Sequence, residues 1–150
     1  MAIFGFGATY DQEDVSGRFI AAGAACVGWP DADAPPLHNI LRHIKIGDIA
    51  FLKSFAPQVG LTIKAVGMVT GREPQEVENL GWGVAVRWVW RGEHRVGRLE
   101  DKYPVRGITL YEEYNPRVEE QVIDLLLSAA NRPLQPTGSA GGRAPESLPR

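Results

Sequence analysis

The sequence predicts an α+β fold, a small bent β-barrel of about five to six mostly antiparallel strands with helices packed outside it. Three apolar runs between Lys45 and Trp90 carry this prediction, at residues 46–55, 60–71 and 81–90. Each run is rich in β-branched and aromatic residues and is bounded by turn-forming residues, which is typical of strands. In the third run the alternation predicts that three tryptophans, Trp82, Trp88 and Trp90, share one face.

Before these runs, the chain predicts a strand, a helix, a second strand and a second helix. Residues 2–8 form the first strand, with its two phenylalanines on one face. The acidic stretch 11–14 precedes a short helix that ends at Gly23, because acids favour a helix N-terminus and glycine its C-terminus. Residues 24–29 form a short buried strand. An apolar stripe of helical spacing then follows two prolines, at Leu37, Ile40, Leu41 and Ile44.

The connections and the last strand are less regular in sequence. Gly47 and Asp48 make the turn into the first long strand. Residues 70–81 are polar and predict a connection or a short helix that stands off the barrel. Residues 91–98 predict a basic hairpin or loop, and residues 107–112 a further strand.

The C-terminal part predicts a helix and then a tail. Asn115 followed by Pro116 is a strong helix start, because asparagine caps a helix N-terminus and proline suits the first turn. This helix covers residues 116–131. Residues 132–150 are rich in Pro, Gly and Ser, with too few apolar residues to offset the entropy of ordering. We therefore expect a single domain over residues 1–131 and a disordered tail.

Composition fits one ordinary soluble domain, with 44% hydrophobic and 23% charged residues. The single cysteine, Cys26, lies in an apolar run and predicts a buried, inert thiol. No apolar run approaches the roughly 20 residues that cross a bilayer, and the N-terminus lacks the basic-then-apolar order of a signal peptide. We therefore expect a cytoplasmic protein with no membrane partner.

Signatures of catalysis and of metal binding are mostly missing. There is no Walker or dinucleotide-binding motif, and His38 and His43 would point to different sides of a helix. Ser54, His94 and Asp48 could supply a hydrolytic trio, but most chains of this length contain such a set. We expect no enzyme activity, no metal and no cofactor. A small hydrolase that acts on a nucleotide or nucleic acid is a third hypothesis, after the two binding functions given at the end of this section.

Aromatic residues lie on or beside the strands that carry isolated cations. The runs around Trp29, Phe55 and Trp88 also hold Lys53 and Arg87. A base stacked on an aromatic ring gains about 1–3 kcal/mol, and lysine or arginine can hold its phosphates. Core filling is the alternative for any single tryptophan. Two rings that flank one pocket would favour binding.

The order of five short motifs along the chain suggests a family. Val-Gly-Trp at 27–29 precedes Ile-Lys-Ile-Gly-Asp at 44–48, which leads into Phe-Leu-Lys-Ser-Phe at 51–55. Ile-Lys-Ala-Val-Gly-Met-Val-Thr at 63–70 and Val-Ala-Val-Arg-Trp at 84–88 follow. This order resembles the EVE branch of the PUA-like superfamily, and the related N-terminal modules of modification-dependent restriction proteins. The resemblance covers about residues 2–115.

The resemblance implies a pocket that accepts a flipped, often modified, base. By position its lining would be Trp29, Lys53, Ser54, Phe55, Arg87 and Trp88. Trp29 with Trp88 or Phe55 would stack on the base, Ser54 and backbone amides would read its edge, and Lys53 and Arg87 would contact phosphates. Such modules are often joined to a nuclease or NTPase, so we expect the effector here to be a separate protein such as a nuclease.

The sequence thus leads to a non-enzymatic module that recognises a base of DNA or RNA, modified or unmodified, in modification sensing or phage defence. The alternative is a sensor of a free nucleotide or small metabolite that uses the same pocket. Binding to a strand predicts affinity that falls steeply with salt. A sensor of free nucleotides predicts little dependence on strand length.

Overall fold

The protein is described by a computed structural model that covers residues 1–100 and 105–130. These described residues form nine strands and three helices in an α+β order. These elements are β1 (Ile3–Gly7), β2 (Thr9–Tyr10), β3 (Glu13–Asp14), α1 (Ser16–Ala22), β4 (Ala24–Val27), α2 (Pro35–His43), β5 (Ile49–Ala56), β6 (Gly60–Val69), β7 (Gln75–Val77), β8 (Gly81–Gly97), β9 (Leu110–Glu112) and α3 (Pro116–Ala130). The predicted tail at 132–150 lies outside the described residues.

In this described part, one curled mixed sheet has the strand order β4-β8-β6-β5-β1-β9, and β7 pairs with β8 beside this path. The three central runs form antiparallel neighbours, β5, β6 and β8, as predicted. β1 and β5 are parallel, with Gly7 opposite Lys53 at their carboxyl ends. β2 and β3 form a separate two-stranded hairpin.

Two hydrophobic cores cover the two faces of the sheet. The first contains Phe6 and Leu52 from the sheet, with Phe19 of α1 and Leu41 of α2 packed against them. The second contains Phe51, Ile63 and Tyr111 of β5, β6 and β9, with Val118 and Val122 of α3 packed against them. Burying one such side chain stabilises the fold by about 1.5–3 kcal/mol. The helices therefore hold the sheet from both sides.

The prediction that Trp82, Trp88 and Trp90 share a face was wrong. Val66 of β6 pairs with Trp90, but the next residue, Gly67, pairs with Trp88, so β8 carries an extra residue at this point. Such a bulge reverses the alternation of side chains. Trp88 consequently packs against the first core and Trp90 against the second.

Two predicted connections are strands instead. Residues 91–98, predicted as a basic hairpin or loop, continue β8 as far as Gly97 because β6 goes on pairing with them, with Thr62 opposite Arg95. Residues 70–81 contain the short strand β7. Charged side chains obscured both strands in the sequence, because they occupy exposed positions of a pleated edge.

The helix ends follow the sequence signals closely. α1 is followed by Gly23 in a left-handed conformation with φ 63°, whose N–H donates to the Ile20 carbonyl oxygen. Prolines begin α2. The Asn115 side-chain oxygen accepts a hydrogen bond from the Arg117 N–H at 2.9 Å and caps α3. Among the described helices, none combines the length and apolar character needed to cross a bilayer.

Candidate functional site

A cavity of about 510 Å³ opens where the carboxyl ends of β1, β4 and β5 meet. Its walls also include the β2–β3 hairpin and the loop that leads into β9. The volume lies within the roughly 300–1,000 Å³ of typical small-molecule sites. Because β1 and β5 are parallel, the loops that leave them diverge at the same edge, a common place for ligands to bind.

Three aromatic rings line this cavity, and they differ in how far they are exposed and in how firmly contacts hold them. Trp29 is 57% exposed and Phe55 is 37% exposed, so both keep ring surface open to a ligand. Tyr10 is fixed, because its hydroxyl donates to the Leu80 carbonyl oxygen at 2.8 Å and its ring packs edge-on against Phe19, with centroids 5.9 Å apart. Large exposed rings that line the same cavity indicate a binding site.

The segment that carries Trp29 is held from two sides. The Nε2 of His38, a buried residue of α2, donates to the Trp29 carbonyl oxygen at 2.7 Å. On the other side, Gly28 lies against the Tyr10 ring so closely that a Cβ there would be 2.9 Å from Tyr10 Cζ. Glycine is therefore needed for this close approach. The backbone below the Trp29 ring is fixed although the ring itself is exposed.

The floor of the cavity holds a buried cation. Lys53 is only 6% exposed, and its Nζ donates to the carbonyl oxygens of Arg106 at 2.6 Å and Ile108 at 2.8 Å. The Nζ also lies 5.6 Å from the centroid of the Tyr111 ring. Among the ion pairs of the described residues, none includes Lys53. Burial lowers the pKa of Lys53 to about 8.

A bulge separates Lys53 from the other lysine of these strands. Leu52 pairs with Ala65, whereas Lys53 pairs with Ile63, so Lys64 is the extra residue. Lys64 bonds instead to the carboxylate of Asp14 on the hairpin, and this bond holds the Asp14 pKa at about 2. The two lysines that interrupt apolar runs thus differ in role, one inside the cavity and one bracing the hairpin beside it.

A buried ion pair fixes the loop that supplies the acceptors for Lys53. The Arg106 guanidinium donates twice to the Glu113 carboxylate, from Nε at 3.2 Å and from Nη2 at 2.5 Å. The Asn115 backbone N–H donates to the same carboxylate at 3.1 Å. Both members of the pair are at most 3% exposed. The position of the Arg106 carbonyl oxygen, and with it that of Lys53 Nζ, depends on this pair.

The structure brings four of the six predicted site residues together at the cavity, namely Trp29, Lys53, Ser54 and Phe55. Among the described residues, the lining includes neither Arg87 nor Trp88. Arg87 is exposed on β8, which β6 separates from β5. The Trp88 indole nitrogen donates to the Phe19 carbonyl oxygen at 3.3 Å, and the ring packs against the first core.

Sequence reasoning did not assign Asp11, Arg106 or Thr109 to the site. Asp11 lies at the tip of the hairpin with a positive φ of 51°, which aspartate tolerates better than most residues. Arg106 and Thr109 arrive through a loop far along the chain, which gives no local signal. The glycine Gly7 in the first strand was a partial signal, because glycine in a strand often marks close approach by a ligand or backbone.

The structure also describes the surroundings of Cys26, of the His, Cys, Asp and Glu side chains in the described residues, and of Ser54 and Asp48. Cys26 is a fully buried free thiol, and burial raises its pKa to about 12. In residues 1–100 and 105–130, no group of three or more His, Cys, Asp or Glu side chains could hold a metal ion. Asp48 directly precedes β5 and Ser54 is the sixth residue of that strand, which places them about 20 Å apart at the usual rise of a strand. The hydrolytic trio is therefore not assembled.

A scan against protein-family models finds no match for this chain, and a search of curated proteins finds none either. The cavity itself is therefore the basis for a functional assignment. It offers two open aromatic rings at its mouth and one buried hydrogen-bond donor at its floor.

Proposed function

We propose that this chain is a non-enzymatic module that binds one base of DNA or RNA, modified or unmodified, in the cavity at the ends of β1, β4 and β5. The observation that carries the proposal is the arrangement of side chains from the mouth of the cavity to its floor. The rings of Trp29 and Phe55 lie at the mouth, and the ammonium of Lys53 lies at the floor. A nucleobase has flat apolar faces and a polar edge, so it fits this order.

Stacking on the rings supplies most of the binding free energy in this proposal. Each base–aromatic contact contributes about 1–3 kcal/mol and tolerates different bases. A base can enter such a cavity only when it leaves its own stack, so single strands or flipped nucleotides are the substrates. An added methyl group gains further from burial, at about 0.8 kcal/mol per buried carbon.

In this proposal Lys53 contacts the edge of the base and not a phosphate. The sugar and phosphates of a bound nucleotide stay with the strand outside the cavity. A side chain that is 6% exposed reaches only what enters the cavity. This role differs from the phosphate contact implied by the resemblance. It also explains why Lys53 is directed inward, toward the Arg106 and Ile108 carbonyl oxygens.

Membership of the EVE branch of the PUA-like superfamily is part of the same proposal. Support comes from the curled mixed sheet with helices on both faces, and from the position of two motif segments, 27–29 and 51–55, on either side of the cavity. In that setting the module senses base modification or phage DNA. A separate effector protein, such as a nuclease, would act on what it binds.

One observation favours a second candidate, a sensor of a free nucleotide, nucleoside or small metabolite. The cavity lining has little cationic surface for strand phosphates, because Arg106 is paired with Glu113 and Lys53 is bonded to carbonyl oxygens. Asp11 adds a negative charge at the rim. Strand binding normally depends on several lysine or arginine contacts with phosphates.

Titration of the full chain with oligonucleotides and with nucleosides, each at two salt concentrations, tests the proposal. We expect saturable binding of single-stranded oligonucleotides that weakens as salt rises. Equal affinity for nucleosides and oligonucleotides, with no salt dependence, would favour the second candidate. The absence of binding to every base-containing probe would refute both.

A further inference from the structure

We propose that the cavity selects a keto base, one with a carbonyl oxygen at C4 of a pyrimidine or C6 of a purine directed to its floor, as in uracil, thymine, hypoxanthine and guanine. An amino group in the same position, as on cytosine or adenine, is disfavoured. This inference rests on the proposed function, since it specifies which base edge the same site accepts.

The hydrogen-bond inventory of Lys53 sets the selectivity. An ammonium has three N–H donors and no acceptor. Two donors go to the Arg106 and Ile108 carbonyl oxygens, at 2.6 and 2.8 Å. Within the described residues, no hydrogen bond to a third acceptor accompanies them. A ligand oxygen at the floor would accept the third N–H of Lys53 and give the buried charge a further hydrogen-bond partner.

Gly7 places no side chain beside the Lys53 ammonium on the cavity side. Gly7 and Lys53 pair in register and both line the cavity. A Cβ at Gly7 would lie 3.5 Å from Lys53 Nζ and 3.7 Å from the Thr109 carbonyl oxygen, which are ordinary contacts. Gly7 is not among the glycines with positive φ. Neither backbone conformation nor crowding requires glycine here, so its effect is to keep the path to Nζ open.

An amino group beside the Lys53 ammonium would bring two hydrogen-bond donors together, and each of the nearby carbonyl oxygens already accepts one hydrogen bond. The Arg106 and Ile108 carbonyl oxygens accept from Lys53, and the Thr109 carbonyl oxygen accepts from the Gly7 N–H at 2.7 Å. The lining carboxylate of Asp11 is exposed on the hairpin, at the rim. Leaving one polar group unpaired in a buried site typically weakens binding by about tenfold to a hundredfold.

The test is equilibrium binding of single-stranded oligonucleotides that differ only at one central base, at about pH 6.5, where lysine carries its proton. The matched pairs are inosine against adenosine and uridine against cytidine. The wild-type chain should bind the keto member of each pair at least about tenfold more tightly. Equal binding of both members by the wild type overturns the inference and leaves the proposed function standing. No binding of any probe overturns both.

Two variants test whether the Lys53 ammonium at the floor causes the preference for keto bases. Lys53→Met removes the donor, and Gly7→Ala covers it with a methyl group while keeping the lysine. In both variants the ratio of the affinity for the keto probe to that for the amino probe should be close to one. Gly17→Ala is the matched control, because its Cβ would lie 3.6 Å from an Arg91 nitrogen, on α1 and outside the cavity lining. If Lys53→Met does not fold, Gly7→Ala decides. A ratio unchanged in Gly7→Ala overturns the inference.

Discussion

Gly7 lies opposite Lys53 in the parallel pair of β1 and β5, and a methyl group on Gly7 would lie 3.5 Å from the Lys53 ammonium nitrogen. The buried cation of Lys53 therefore lies next to a backbone position without a side chain, where β1, β4 and β5 end. A charge that is almost fully buried costs folding free energy unless it is well partnered. Its retention at a cavity floor is the strongest sign of function in the fold.

Trp29→Ala should weaken binding of a base-containing oligonucleotide by about 1–3 kcal/mol, the value of one stacking contact. The thermal midpoint should change little, because the ring is 57% exposed. Trp82→Ala is the control, since Trp82 is 43% exposed but lines a different depression beside Arg42. Fluorescence titration and thermal melts of both variants check this. Equal loss of affinity in the two variants would contradict the role of Trp29.

Trp88→Ala should have the opposite profile. Its partly buried ring packs against the first core and its indole nitrogen donates to the Phe19 carbonyl oxygen, so truncation should cost about 1.5–3 kcal/mol of unfolding free energy. Affinity in the folded fraction should stay close to that of the wild type. Chemical denaturation and titration measure the two effects separately. A large loss of affinity at unchanged stability would return Trp88 to the site.

The stability of the wild type relative to Lys53→Met should depend on pH. Burial lowers the Lys53 pKa from 10.5 to about 8. Below about pH 8 both folded and unfolded chains carry the proton, and the full cost of the buried charge is present. Between about pH 8 and 10.5 the unfolded chain binds more protons than the folded chain, so stability rises with pH. The shift corresponds to about 3 kcal/mol.

Urea denaturation of the wild type and Lys53→Met at about pH 7 and about pH 10 measures this dependence. The difference between their unfolding free energies cancels the other titrating groups. It should move in favour of the wild type by up to about 3 kcal/mol as pH rises. A difference that stays constant over this range would mean that the Lys53 charge is not desolvated in the folded protein.

Glu113→Gln should destabilise the chain by about 3–5 kcal/mol, because it removes the charge of Glu113 from a buried ion pair with Arg106. It should also weaken binding, since the Arg106 carbonyl oxygen holds Lys53. Glu120→Gln, an exposed change on α3, is the control and should fall within about 0.5 kcal/mol of the wild type. Denaturant unfolding of both variants decides the point.

Asp14→Asn should cost less than about 1 kcal/mol of stability, because the pair with Lys64 is half exposed and screened by solvent. The Asp14 pKa is lowered to about 2, so this contribution is present above about pH 4 and is lost as pH falls toward 2. The loss of binding free energy should exceed the loss of unfolding free energy, because the pair connects the hairpin beside the cavity to β6. Glu13→Gln is the control, since its pair with Arg18 is local.

Much of the fold was predictable because its signals are local. The three central runs, the prolines before α2, Gly23 after α1 and Asn115 before α3 all gave elements at the expected places. The faces of β8 were not predictable. A single extra residue between its pairs with Val66 and Gly67 reverses the alternation, and nothing in the sequence marks that residue.

The site was predictable only in part, for a related reason. Trp29 and the segment 53–55 come together because Trp29 follows β4 and residues 53–55 lie near the end of β5, and both strands end beside the cavity. Arg106 comes from a loop 53 residues beyond Lys53, and Arg87 and Trp88 depend on the register of β8. Long-range register of this kind is set by packing and by bulges rather than by composition.

Amide and indole NMR shifts of the full chain, titrated with a single-stranded oligonucleotide, test the central claim most directly. A base bound between the mouth and the floor should shift the Trp29 indole signal and the Gly28 and Gly107 amides, all at the cavity. The Trp82 indole signal should stay in place. Shifts confined to the exposed face around Arg87, with the Trp29 signal unchanged, would contradict base binding in this cavity.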